Sequence, residues 1–194
     1  MSNFSEYNQR LNHALFSVYE EKIEEAIKLI TDAMKKGIPI FTFGNGGSCA
    51  IAEHFTSHSN MFADKCKNLQ PWITNLTTRS ALLTAVSNDC GYEHIFEDQI
   101  LWCGSEEALV IGISSSGNSQ NIVNGFYAAI DQTYESIALV GFDGGKVLSE
   151  NLADTIIHVK SNMYDYGVVE DAHQIILHFI AERIIINNSN PQTV

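Results

Sequence analysis

Five short apolar runs, Ile38 to Phe43, Pro71 to Leu76, Ala108 to Ser114, Ser136 to Gly141 and Thr155 to Val159, alternate along this chain with segments of helical periodicity. A strand that is apolar on both faces has to be covered on both faces, as parallel strands inside α/β domains are. The alternation therefore predicts a doubly wound, five-stranded parallel sheet with helices on both sides. The helical patterns run from a glycine turn at Gly44 to about Asn60, from a cap at Thr78 to Ser87, from Tyr92 to Trp102, from Ser119 to Gln132 and from Val168 to Ile185. Ahead of the first strand, Phe4, Tyr7, Leu11, Leu15, Val18, Ile27, Ile30 and Met34 recur at mostly helical spacing until Gly37 and Pro39. Residues 1–36 thus read as one long N-terminal helix or two in tandem. That is more apolar surface than one layer needs, so part of it is expected to pack on another subunit; a plain core helix with a kink is the alternative. With 194 residues and 45% apolar content, residues 1–194 suffice for one full core and are too few for two. The polar tail, 187–194, is expected to fray.

Two glycine- and serine-rich turns follow the first and third apolar runs, Gly44-Asn45-Gly46-Gly47-Ser48 and Ser114-Ser115-Ser116-Gly117-Asn118-Ser119. A strand that feeds a helix through such residues leaves backbone N–H groups and hydroxyls pointing at one spot, at the positive end of the helix dipole, where an anion is stabilised. One such turn could be an ordinary strand-to-helix connection. Two at the carboxyl edge of one sheet, the edge where open α/β sheets bind ligands, point to a phosphorylated small molecule. Neither turn has the G-x-G-x-x-G or G-x-x-x-x-G-K-[ST] spacing, which argues against dinucleotide and nucleoside triphosphate cofactors.

A formal net charge of −12 argues against a nucleic-acid partner bound through a basic surface. No apolar run approaches a membrane span, and the opening Met1 to Glu6 lacks the order of a signal peptide, so a cytoplasmic location is expected. The four cysteines, Cys49, Cys66, Cys90 and Cys103, lack C-x-x-C spacing and are expected to be free thiols.

The ordered segments Phe43 to Ser48, Ser87-Asn88-Asp89, Gly112 to Ser119 and Gly141-Phe142-Asp143-Gly144-Gly145 resemble the signatures of the phosphoheptose isomerases, members of the SIS (sugar isomerase) domain superfamily. The resemblance runs from the opening helix to the closing one. It implies a flavodoxin-like fold, a homotetramer with active sites at subunit contacts, and interconversion of sedoheptulose 7-phosphate with D-glycero-D-manno-heptose 7-phosphate for bacterial surface glycans. Carried over by position, it assigns the phosphate to Ser114, Ser115, Ser116 and Ser119, and the sugar pocket to Asn45, Gly46, Ser48, Asn88 and Asp89. The chemical residues of the family come from the helix after the first turn and from the closing helix. In this chain those helices offer His54 and His58, then Glu170, His173, Gln174 and His178.

Spacing bears on the same residues independently. His54 and His58 are four apart, the geometry by which one helix face supplies two ligands to a metal, and Glu170 and His178 share one broad side of the closing helix. His54, His58, Glu170 and His178 make a four-ligand zinc set, or a three-ligand set with one residue left for proton transfer. His13, His94 and His158 have no such company and read as structural or exposed. The isomerase pattern has a glutamate where His58 stands and a glutamine where Glu170 stands. The family's proton-transfer carboxylate is therefore displaced, and Glu170 or His58 is expected to act as base, with His178 moving protons at the sugar oxygens and zinc polarising the carbonyl. The alternative is that the exchange keeps a metal while changing the substrate. An aspartate of the heptose enzymes is also missing near Gly167, where Asp165 either takes over a hydroxyl contact or is an exposed loop acid. Glu53 and Asp171 either orient histidines or are solvated. Two further possibilities stand beside the isomerase: a non-catalytic binding protein resembling the family's replication initiator-associating member, and a phosphosugar sensor or isomerase for another sugar phosphate.

Overall fold

The computed structural model describes residues 3–62, 66 and 68–189. Strands β1 Ile40–Gly44, β2 Ile73–Asn75, β3 Leu109–Ser114, β4 Glu135–Val140 and β5 Thr155–His158 form one sheet in the order β2-β1-β3-β4-β5. Every neighbouring pair is parallel, with Ile40 opposite both Ile73 and Leu109, and Ser114 opposite Val140. All residues of β1 and β3 are buried, the physical reason that these strands lack polar alternation.

Eight helices accompany the sheet among the described residues: α1 Phe4–Phe16, α2 Glu20–Lys36, α3 Gly47–Phe62, α4 Ser80–Asp89, α5 Glu97–Leu101, α6 Gln120–Asp131, α7 Gly145–Ser149 and α8 Tyr166–Asn188. One core layer joins Ile30, Phe55, Ile176 and Ile180 of α2, α3 and α8 to Ile111, Ile113 and Leu139 of the sheet. The other joins Val86, Ile100, Phe126 and Val147 of α4 to α7 to Phe43, Val110 and Ala138. Alternate strand residues feed opposite layers, as the two-residue period of a strand requires.

The opening segment is two helices. Asn3 and Glu6 close a capping box on α1. After Phe16, the Ser17 hydroxyl donates to the Ala14 carbonyl (2.6 Å) and accepts the Lys160 N–H (2.9 Å), which ties the chain to the end of β5 before Tyr19 turns extended and α2 begins. Gly37 ends α2 at φ 68°, the left-handed stop its sequence position predicts.

Other boundaries differ for local reasons. The second apolar run gives only three strand residues. The Thr78 hydroxyl donates to the Asn75 carbonyl (2.9 Å), so it serves the turn, and α4 starts at Ser80. The segment from Tyr92 to Trp102 splits into a 3-10 turn, Tyr92–His94, and α5. The short α7 follows the Phe142 to Gly145 turn, where helical periodicity is too brief to read. The closing helix extends past both expected ends, with Asn187 and Asn188 still helical and the Asn188 side chain bonding the Ile184 carbonyl. Residues 190–194 of the expected frayed tail lie outside the described residues. No helix among the described residues is long and apolar enough to cross a membrane.

The order 2-1-3-4-5 positions the site. β1 and β3 are neighbours, but β1 leads into α3 on one face and β3 into α6 on the other, so a crevice opens between their carboxyl ends. Both glycine turns lie there.

Candidate active site

At the crevice, Gly44 ends β1, Asn45 and Gly46 make the turn, and Gly47 is the first residue of α3. Across it, Ser114 ends β3 and Ser119 precedes α6. The turns are bolted together by an amide pair: Asn45 Nδ2 donates to Asn121 Oδ1 (2.8 Å), and Asn121 Nδ2 donates to Asn45 Oδ1 (2.9 Å). The Tyr92 hydroxyl adds a third bond to Asn45 Oδ1 at 2.9 Å. Within the second turn, Ser114 Oγ accepts the Gly117 N–H and Ser116 Oγ accepts the Asn118 N–H. Gly117, at φ 62°, lies so close to the Gly144 carbonyl that any Cβ would overlap it, which fixes the serine turn against the loop before α7.

A cleft of about 260 Å³ results, lined by Asn45 to Ser48, Ser114 to Ser116, Ser119, Tyr166 and Glu170. All four serines assigned to phosphate line it, as do Asn45, Gly46 and Ser48. Asn88 lines an adjoining cleft of about 600 Å³, which shares Asn45 and Gly46 with the first and adds Thr77, Ser87 and Tyr92. Asp89 lines neither: it is exposed at the end of α4 and accepts from Asn88 Nδ2 at 2.7 Å. No lysine or arginine is among the described residues lining either cleft. An anion here would be held by hydroxyls, backbone N–H groups and the amino ends of α3 and α6.

Glu170 stands one and a half turns into α8, and its carboxylate lies over the first residue of α3. A Cβ at Gly47 would overlap the carboxyl carbon and both oxygens, so a side chain there would displace the carboxylate from this position. Burial, and then the neighbouring Asp171, push the Glu170 carboxyl above the usual carboxylate range.

Farther along the same two helices, His54, His58 and His178 bring ring nitrogens within 4.8 Å of one another. His54 Nε2 and His178 Nε2 are 2.8 Å apart, and the Gln174 side-chain nitrogen is 3.1 Å from His178 Nε2. Burial, followed by the charges of His178 and His54, holds the His58 imidazole below the ordinary histidine range, favouring the neutral form that ligates metals. Three imidazoles with converging nitrogens suit zinc or a similar borderline cation. Of the four-ligand set read from the sequence, the structure gathers three. Glu170 is not in that group, because its carboxylate is laid on Gly47 at the other end of the shared groove.

Most of the remaining polar residues named from the sequence have structural partners. Asp165 is paired with Arg10 (2.8 Å), so it is not a free loop acid. Asp171 accepts from the Tyr7 hydroxyl (2.6 Å), and Glu53 accepts from Ser57; neither bonds a histidine. His94 pairs with Glu97, and His158 contacts the Phe142 carbonyl. His173 is wholly buried on the inner side of α8, and burial lowers its pKa to about 4, with the nearby Val140 carbonyl opposing. None of the four cysteines is in a disulfide. Sequence reasoning missed Tyr166, Asn121 and Tyr92. Tyr166 lies one helical turn before Glu170 and Asn121 two residues past Ser119, but neither spacing is a motif.

A family model for the SIS domain matches residues 3–141. The phosphoheptose isomerase of Aliarcobacter butzleri is 38% identical over 170 residues, 87% of this chain and 86% of that protein. The structure of phosphoheptose isomerase from Neisseria gonorrhoeae superposes with a TM-score of 0.80 at 30% identity, covering 93% of this chain and 94% of that one. A phosphoheptose isomerase structure from Francisella tularensis gives the same TM-score of 0.80 at 29% identity, with 94% and 93% covered.

Proposed function

The chain belongs to the phosphoheptose isomerase family of SIS-domain proteins, and from that membership we propose that it interconverts sedoheptulose 7-phosphate and D-glycero-D-manno-heptose 7-phosphate through an enediol, supplying surface glycan synthesis. The observation that carries this is the cleft at the strand crossover, where two amino-terminal helix ends and four serines meet a carboxylate of raised proton affinity. The phosphate takes the serine turn and the amino ends of α3 and α6. The sugar chain then extends along the groove between α3 and α8, past Glu170 and towards His178.

Aldose–ketose isomerisation removes a proton from the carbon beside the carbonyl and returns one to its neighbour. Glu170 is the base in this proposal: it is half-buried and carries a carboxyl whose pKa is moved towards neutrality. His178, steadied by His54 and Gln174, moves the proton between the sugar oxygens. The imidazoles of His54, His58 and His178 would hold a divalent cation, zinc by donor type, whose chemistry when bound is to polarise the sugar carbonyl. Exclusion of Lys and Arg from the cleft keeps the Glu170 carboxyl from being held ionised.

We further propose a homotetramer. His54 and His178 are exposed on the outer face of α3 and α8, beside the apolar Ile175, Phe179 and Ile186. A second copy on this face would bury the apolar stripe and close the histidine end of the groove. Four cysteines outside any disulfide suit a cytoplasmic site of action.

The test is proton exchange into sedoheptulose 7-phosphate in deuterated water, followed by NMR. Wild-type protein should exchange label at the reacting carbon and form aldose, while Glu170→Gln and His178→Ala should each lose at least about a hundredfold in rate. Sugar-phosphate-dependent thermal stabilisation without exchange would replace the enzyme by a phosphosugar sensor.

A further inference from the structure

Tyr166 lines the smaller cleft together with the serine turn, yet it takes no part in the proton transfers assigned to Glu170 and His178. It stands one helical turn before Glu170 on α8, so the two side chains share a face of that helix. The residue keeps 48% of its surface exposed, and its hydroxyl has no hydrogen-bond partner among the described residues.

The ring, by contrast, is fixed. It meets Phe142 edge-on, with ring centres 5.0 Å apart and planes at 81°. Phe142 is buried and sits at φ 50°, a left-handed conformation that a bulky residue keeps only where its surroundings impose it. Both of its backbone groups are engaged: the Phe142 N–H donates to Ser161 Oγ (3.2 Å), and His158 Nε2 lies 3.1 Å from the Phe142 carbonyl oxygen. The same loop is fastened to the serine turn. The Gly141 N–H donates to the Ser115 carbonyl (3.1 Å), the Val147 N–H to the Gly117 carbonyl (3.0 Å) and the Lys146 N–H to Asn118 Oδ1 (2.9 Å). Through Phe142, the Tyr166 ring is thereby placed relative to the serine turn, and not only by its own helix.

A phosphate in this cleft meets no lysine or arginine among the described lining residues, so each neutral donor carries a larger share of the binding. The turns after β1 and β3 supply such donors from the sheet edge. A phenol O–H on a ring with few rotatable bonds is one more, brought from α8 at little cost in conformational entropy.

We propose that Tyr166 is a substrate-binding residue whose hydroxyl donates to the phosphate seated in the serine turn, and that Phe142 is the positioning residue that holds its ring there. The proposal rests on the assignment of the sugar phosphate to this cleft.

The test compares wild type, Tyr166→Phe, Phe142→Leu and the double variant as full chains. Binding of inorganic phosphate is followed by phosphorus NMR and thermal shift, and turnover of sedoheptulose 7-phosphate by steady-state kinetics, with circular dichroism as the check on folding. Tyr166→Phe keeps the ring, and it should weaken inorganic phosphate and raise the KM for the sugar phosphate about tenfold while kcat stays within about twofold of wild type. Phe142→Leu should give a smaller loss, and no loss beyond that of Tyr166→Phe when the two are combined, because it acts through the hydroxyl. Wild-type phosphate affinity in Tyr166→Phe would overturn the contact, even if kcat fell. Additive losses in the double variant would overturn the role given to Phe142. Wild type that binds inorganic phosphate but leaves sedoheptulose 7-phosphate unchanged would overturn the isomerase reading, and the phosphate titrations of Tyr166→Phe would still decide the contact. Wild type that binds no phosphate would remove the cleft assignment and this proposal with it.

Discussion

Tyr7 shows how one side chain couples distant parts of the chain. Its hydroxyl bonds Asp171, one residue from Glu170, and Arg10 on the same helix pairs with Asp165 and lies 5.5 Å from the Tyr7 ring centre. Burial first, then the hydrogen bond and charge of Asp171 and the charge of Asp165, raise the Tyr7 phenol to about 12, with Arg10 opposing. Below pH 10, the ordinary phenol value, folded and unfolded chains hold this proton alike. Above it the unfolded chain releases the proton first, so the contribution of Tyr7 to stability is lost as pH rises from about 10 through about 12. Ultraviolet titration at the tyrosinate band should show late-ionising phenols, since burial also raises Tyr134, and Tyr7→Phe should remove the Tyr7 component. An unchanged titration in the variant would mean that another tyrosine is responsible. The same pair limits what can follow at Gly167, where a Cβ would come within 3.2 Å of the Tyr7 hydroxyl.

At the scale of elements, the two glycine turns are useful only if β1–α3 and β3–α6 keep their alignment. The reciprocal amides of Asn45 and Asn121 set it, with Asn121 buried at 3% exposure and Tyr92 bracing the pair. Asn121→Ala takes from half-buried Asn45 two of its three side-chain bonds, leaving only that from Tyr92, so a stability loss of about 1–3 kcal/mol is expected. Because the turns would then be free to shift apart, the KM for the sugar phosphate should rise more than kcat falls. Denaturant melts and steady-state kinetics measure the two effects. A variant with wild-type stability and KM would show that the sheet alone holds the turns. The repeating strand and helix pattern was legible in the sequence because buried parallel strands are continuous apolar runs. The Asn45–Asn121 pairing was not, since it joins residues 76 apart through a sheet register that composition does not specify.

At the scale of the molecule, Ile175, Phe179 and Ile186 stay exposed on α8, while the opposite side of the same helix is buried against the sheet. Histidines and large apolar side chains together on one outer face support the proposed homotetramer. Phe179→Glu is expected to lower the assembly state, read by light scattering after size exclusion, and to cut activity while leaving the fold intact by circular dichroism. Retention of the wild-type assembly would relocate the contact, with exposed Phe4 and Phe16 of α1 as the next surface to test.

The sequence by itself determined the layers and the glycine- and serine-rich turns that line the cleft. Period-two and helical patterns record burial locally, and a strand-to-helix turn of glycine and serine carries its chemistry within a few residues. It also singled out His54, His58 and His178, since four-residue spacing places side chains on one helix face. Only the tertiary structure decided which of these groups meet. α3 and α8 run side by side in the same direction, so Gly47 faces Glu170 and His54 faces His178. That parallel docking separates the carboxylate from the histidines that spacing alone had grouped with it. The cause is the helix rise: residues on one face of α8 share an azimuth but not a height, and height along the partner helix is fixed by packing against the sheet.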